Sequence, residues 1–126
     1  MTIAVDFDVP VHLYSKGWMG GDVYDGPTEG AFRAIQRLME VDCVFVFTAR
    51  PDLEAVAAWL TRRGGFETVV DDGSTTFWDR RDVLLVTNRK LPAYVYVDDR
   101  AVRFESWEQT LDAISELGYY DVRIHE

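Results

Sequence analysis

Short, nearly unbroken apolar runs alternate along this chain with stretches in which apolar residues recur every three or four positions. Residues 2–7 (Thr-Ile-Ala-Val-Asp-Phe) read as a buried strand, as do residues 41–47, which are apolar apart from Asp42. Residues 93–97 (Ala-Tyr-Val-Tyr-Val) predict another firm strand, and 67–70 and 82–86 two weaker ones. Between them, Ala31, Ile35, Leu38 and Met39 recur at helical spacing, so a helix is expected from Thr28-Glu29 to about Glu40. Leu53, Val56, Ala57 and Leu60 form the stripe of a second helix, opened by Pro51-Asp52 and closed by Gly64-Gly65. Ser106 is placed to cap a last helix over residues 107–117, stopped by Gly118, with residues 119–124 expected as an edge strand. Residues 9–27 hold Gly17, Gly20, Gly21, Gly26 and Pro27 and read as a loop.

Strands buried on both faces and alternating with helices imply right-handed crossovers and a mainly parallel sheet. The expected fold is therefore α/β: a three-layer α/β/α sandwich with a Rossmann-like sheet. No repeat, low-complexity tract or linker divides the 126 residues, so one core domain over residues 1–126 is expected, without a separate cap domain. In such sheets, ligands sit beyond the carboxyl ends of the central strands.

Composition narrows the function classes. A formal net charge of -9 opposes broad binding to a phosphate backbone, which needs a basic face. Nucleic acid is thus a disfavoured partner. A small phosphorylated substrate remains compatible, because a bound divalent cation inverts the local charge. The single cysteine, Cys43, lies in an apolar run and reads as a small buried hydrophobe. One cysteine allows no disulfide within the chain, which suits a reducing compartment. No signal-like segment and no run of membrane-spanning length is present, so a cytoplasmic location away from the membrane is expected.

The chemistry gathers at strand ends. Asp6 and Asp8 follow the first strand, Thr48 the second, and Asp98-Asp99 the strand over 93–97, with Lys90 in the loop before it. If these strands are parallel neighbours, four carboxylates, a hydroxyl and an ammonium meet at one rim. Unit charges about 4 Å apart repel by several kcal/mol at an effective dielectric near 20. A hard cation with oxygen ligands relieves this. Mg²⁺ fits, since it takes one or two carboxylates, keeps waters and leaves room for a substrate phosphate.

Asp6-Phe-Asp8, Thr48, Lys90 and Asp98-Asp99, in that order and on those elements, resemble the four motifs of the haloacid dehalogenase-like (HAD) superfamily. The resemblance covers Ile3 to about Phe104. It implies a Mg²⁺-dependent phosphohydrolase in which Asp6 is the nucleophile, forms an aspartyl-phosphate and binds the metal. Asp8 is implied as general acid, then base, with its backbone carbonyl on the metal. Thr48 and Lys90 would hold phosphoryl oxygens, Asp98 would contact the metal, and Asp99 would act through water or orient Lys90. The chain departs from the family at Val9-Pro10, where Gly followed by Thr or Val is usual. A β-branched residue resists positive φ, and the proline biases Val9 towards an extended backbone. Pro10 also lacks an N–H for a phosphate.

Other residues keep two readings at this stage. Asp71-Asp72 is expected to make a turn with Gly73 rather than a second metal site. His12 lies a few residues beyond Asp8 and either lines the mouth of the site or packs in the loop, and His125 reads as solvated. Arg89 competes with Lys90 for its role, and Arg50, Arg100 and Arg103 either bind an anionic group or pair with surface acids. Trp18 either touches substrate or packs its loop, whereas Phe77, Trp78 and Trp107 read as packing. With no insertion large enough for a cap, the site is expected to be open or covered by a second subunit of a homo-oligomer. Three functions stay in play: phosphomonoester hydrolysis, end-phosphatase action on nucleic acid, and a non-catalytic module that keeps the metal. A signalling receiver domain orders its acidic pair and its phospho-accepting Asp the other way round.

Overall fold

The computed structural model describes residues 1–124. Its elements are β1 (Thr2–Asp6), α1 (Ala31–Val41), β2 (Cys43–Phe47), α2 (Leu53–Gly64), β3 (Thr68–Val70), β4 (Leu84–Thr87), β5 (Val95–Val97) and α3 (Trp107–Glu116). The five strands form one all-parallel sheet in the order β3-β4-β2-β1-β5. The α/β class and the parallel sheet are as the apolar runs predict.

Topology decides which face each connection covers. From β1 to β2 and from β2 to β3 the chain moves the same way across the sheet, so right-handed crossovers put α1 and α2 on one face. That face buries Val5, Val44, Val46, Leu84 and Val86 against Ile35 of α1 and Val56, Trp59 and Leu60 of α2. The moves from β3 to β4 and from β4 to β5 run back the other way, so their connections belong on the opposite face. These connections are loops. They deliver Trp78 and Leu91 onto Ala4, Cys43, Phe45 and Leu85. The Thr2 hydroxyl donates to the Trp78 carbonyl at 2.8 Å and fixes the first of these loops. A helical layer is thus seen on one face, and α3 buries only Ser115.

Local chemistry explains where elements start and stop. Asp52 caps α2 by accepting the Ala55 N–H, and Gly65 ends it at φ 73, a left-handed conformation that glycine adopts without a Cβ clash. Helix α1 begins at Ala31 rather than at Thr28, because Thr28 is committed to the preceding loop: its N–H donates to the Val11 carbonyl and its hydroxyl to that of Val9. Residues 119–124 form no strand, in contrast to the expectation, and they lie almost wholly exposed. Cys43 is buried, and burial pushes its thiol above the ordinary range, as an inert hydrophobe requires. His125 lies outside the described residues. Among the described residues no helix is long and apolar enough to cross a membrane.

Candidate functional site

Strand register brings the first carboxylates together. Val5 of β1 lies opposite Val97 of β5, so Asp6 and Asp98 are the next residues along adjacent strands. Asp6, Asp98 and Asp99 each offer an oxygen within 4.8 Å of the others. Asp6 is half-buried, while Asp98 and Asp99 are exposed. Burial, and then the Asp98 charge, push the Asp6 carboxyl up to about 6, with Asp99 and Asp8 adding to the effect and the Phe7 N–H opposing it. Three hard oxygen donors at this separation, one of them raised by burial and then by its neighbours' charge, suit a small divalent cation. Beside them lies a pocket of about 300 Å³, lined by Asp6, Asp8, Thr48, Asp98 and Asp99, with Arg50 and Arg100 as its cations. Five of the six expected site residues therefore share one hollow.

Asp8 is engaged. Arg50 donates to both of its oxygens, Nε to Oδ2 at 2.8 Å and Nη2 to Oδ1 at 3.0 Å, and His12 Nδ1 lies 2.9 Å from Oδ1. His12 is fully buried, and its Nε2 accepts the Asp25 N–H at 3.0 Å. That leaves Nδ1 to carry the ring proton that Asp8 accepts. Arg50 is 4% exposed, and its Nη1 donates to the Gly21 and Asp22 carbonyls. Its guanidinium also lies over Phe7, Tyr14 and Trp18. One arginine thus ties the end of β1 to the glycine-rich loop. Of the two roles open to Arg50 on sequence, the structure shows pairing with a carboxylate, but inside the site.

The same device occurs a second time. Thr48 Oγ1 accepts the Arg50 N–H, and Thr87 Oγ1 accepts the Arg89 N–H. Arg50 grips Asp8 beyond β1, the neighbour of β2; Arg89 grips Asp71 beyond β3, the neighbour of β4. Asp71 is almost fully buried. Burial alone would raise its carboxyl, but hydrogen bonds from Arg89, Thr87 and the Gly73 N–H outweigh it and hold the group at about 2. The turn expected at Asp71-Asp72-Gly73 forms as read, with Asp71 and Asp72 accepting the Gly73 and Ser74 N–H groups. The signal for both clamps is visible in the chain as Phe-Thr-Ala-Arg and Val-Thr-Asn-Arg, each closing a strand.

One expectation is corrected, and one expected residue lies away from the pocket lining. Val9 does not take an extended backbone: its φ is 81. The turn over residues 7–12 imposes this, since Phe7 O accepts both the Val11 and His12 N–H groups and Val9 N–H donates to His12 O at 2.8 Å. A left-handed β-branched residue stores roughly 1–2 kcal/mol of strain. Lys90, the sixth expected site residue, does not line the pocket. Its ammonium lies 5.5 Å from the centre of the Tyr96 ring, because the loop carrying it crosses the second face of the sheet. His12 packs in the loop, stacked on Phe7 with ring centres 5.4 Å apart.

No family model, curated protein or solved structure matches this chain. The functional reading therefore rests on the geometry of the rim.

Proposed function

We propose that the chain is a Mg²⁺-dependent phosphohydrolase of the HAD-like kind, cleaving phosphomonoesters through an aspartyl-phosphate on Asp6. The observation that carries this reading is the convergence of Asp6, Asp98 and Asp99 within 4.8 Å at the rim of a 300 Å³ pocket. These three residues would hold the cation, which neutralises charge on the phosphoryl oxygens when bound. One Asp6 oxygen attacks phosphorus, and the ester oxygen leaves with a proton from Asp8. Water then attacks the phosphorus of the Asp6 acyl phosphate, gives its proton to Asp8, and phosphate departs. Thr48 faces the phosphoryl oxygens, and Arg100 takes the place of the cation expected at Lys90. In the same reading the sheet is the middle of a three-layer sandwich, with α3 as the helix of the second layer, and the protein works in the cytoplasm.

A second reading draws on two observations. Both Asp8 oxygens are held by Arg50, so proton delivery requires that pair to open, and the Val9 N–H is spent on His12 O. A non-catalytic module that binds metal is the function these features favour. Hydrolysis of p-nitrophenyl phosphate with and without Mg²⁺, in wild type and Asp6→Asn, separates the two. Metal-dependent turnover abolished by the substitution supports the enzyme. Absence of turnover alongside a Mg²⁺-induced rise in melting temperature leaves the binding module.

A further inference from the structure

We infer that a second hollow of about 380 Å³, next to the carboxylate pocket, seats the leaving group and takes a flat heteroaromatic body of nucleoside size; this rests on the phosphohydrolase reading. The two hollows share Trp18 and Arg50. The indole lies over the guanidinium, 5.2 Å from ring centre to Cζ, and this pair forms the partition between them. A phosphomonoester with its phosphoryl group at Asp6 reaches the second hollow by passing over that partition.

The partition is held from the loop side, where Arg50 Nη1 donates to the Gly21 and Asp22 carbonyls independently of Asp8. Arg50 is buried and its donors are occupied by Asp8 and by two loop carbonyls. Trp18 rests on this fixed plane and against Gly21, where an added Cβ would lie 3.6 Å from Cη2. Yet the residue is 55% exposed. An indole backed by the guanidinium and open to solvent elsewhere is a stacking platform. The opposite wall is one face of α2, where Ala55, Ala58 and Arg62 recur at helical spacing. Two alanines there, and Gly20 and Gly21 on the loop side, leave a slot rather than a side-chain-filled groove. Arg62 and Asp22 give its edges polar groups of both signs, which suits a ring carrying donors and acceptors. The volume falls in the usual range for small-molecule sites.

The test uses adenosine, adenosine 5′-monophosphate and ribose 5-phosphate on the wild-type chain and on Trp18→Ala and Ala58→Phe. Trp18 is exposed, and Ala58 lies on the exposed face of α2, so both variants should fold. Adenosine cannot be hydrolysed, so its affinity, read by saturation-transfer NMR, reports the slot alone. Loss of the stacking partner in Trp18→Ala, and filling of the slot by the larger ring in Ala58→Phe, should each weaken adenosine at least about tenfold. With Mg²⁺, kcat/KM should favour the nucleotide over the sugar phosphate by about tenfold, a ratio falling towards one in both variants. No adenosine binding, or equal kcat/KM for the two phosphates in wild type, would overturn the slot and leave the phosphohydrolase reading standing. Adenosine binding that both variants lose, with neither phosphate hydrolysed, would support the stacking slot and remove the phosphohydrolase reading.

Discussion

Replacing Asp6 by Asn should make the metal-free protein more stable. In the native state the Asp6 carboxyl is raised from 3.8 to about 6, by burial first and then by the Asp98 charge. A native value above the unfolded one means that folding takes up protons between about pH 4 and pH 6. Wild type therefore loses stability as pH rises through that window and carries the full penalty above it. About two pH units correspond to roughly 3 kcal/mol as an upper bound. Asp6 is only half-buried and Asp98 and Asp99 are exposed, so solvent brings the expected gain in Asp6→Asn to roughly 1–2 kcal/mol. For a chain of this size that is a rise of roughly 4–8 °C in melting temperature. Thermal melts in chelator at pH 4 and pH 8 read it: little difference between the proteins at the lower pH, the full gain at the higher. Added Mg²⁺ should reverse the order, because the variant offers one charge fewer to the cation. Equal stability at pH 8 in chelator, or the same gain at pH 4, would refute the account of crowded carboxylates.

Three further outcomes follow from the loops around the site. Arg50→Ala should cost about 3–5 kcal/mol in urea unfolding, since it leaves Asp8 and two loop carbonyls without their partner; Arg50→Lys should recover little, lacking the planar fork. Asp71→Asn should cost roughly 2 kcal/mol at pH 7, because a carboxyl held at about 2 stabilises the fold above its unfolded value near 4. That cost should vanish as pH falls through 2, and urea titrations at pH 7 and pH 2 would show it. Val9→Gly should leave stability unchanged or raise it by up to about 1 kcal/mol, the relieved strain being partly offset by glycine's entropy; a loss above 1 kcal/mol in the same assay would contradict a strained turn.

Strand ends were the legible part of this chain. Continuous apolar runs announced β1, β2 and β5, and the carboxylates after them met because the sheet is parallel and those strands are neighbours. What escaped was the partner of each acid. Arg50 and Arg89 sit two residues beyond a strand-closing threonine, and the repetition of that phrase is a signal open to a reader of the sequence. The direction of the chain between β4 and β5 is not written in any local pattern, and that direction sends Lys90 over Tyr96. Val9 shows the limit of propensity: three backbone hydrogen bonds in the turn outweigh the preference of a β-branched residue next to proline.

The pairing of β1 with β5 joins Ile3 to Val95, far apart along the chain. Closing so long a loop is entropically late, after α1, β2 and α2 have assembled locally. If β5 docks after the rest of the sheet, the three-carboxylate cluster is completed only at that step. A cation gripping that cluster would act on the native state but not on the folding transition state, so it should retard escape from the fold and leave the speed of folding almost untouched. In a chevron plot Mg²⁺ should lower the unfolding arm alone. Occupancy of the rim would then set how long each molecule survives between unfolding events, and so how often a protease meets it open.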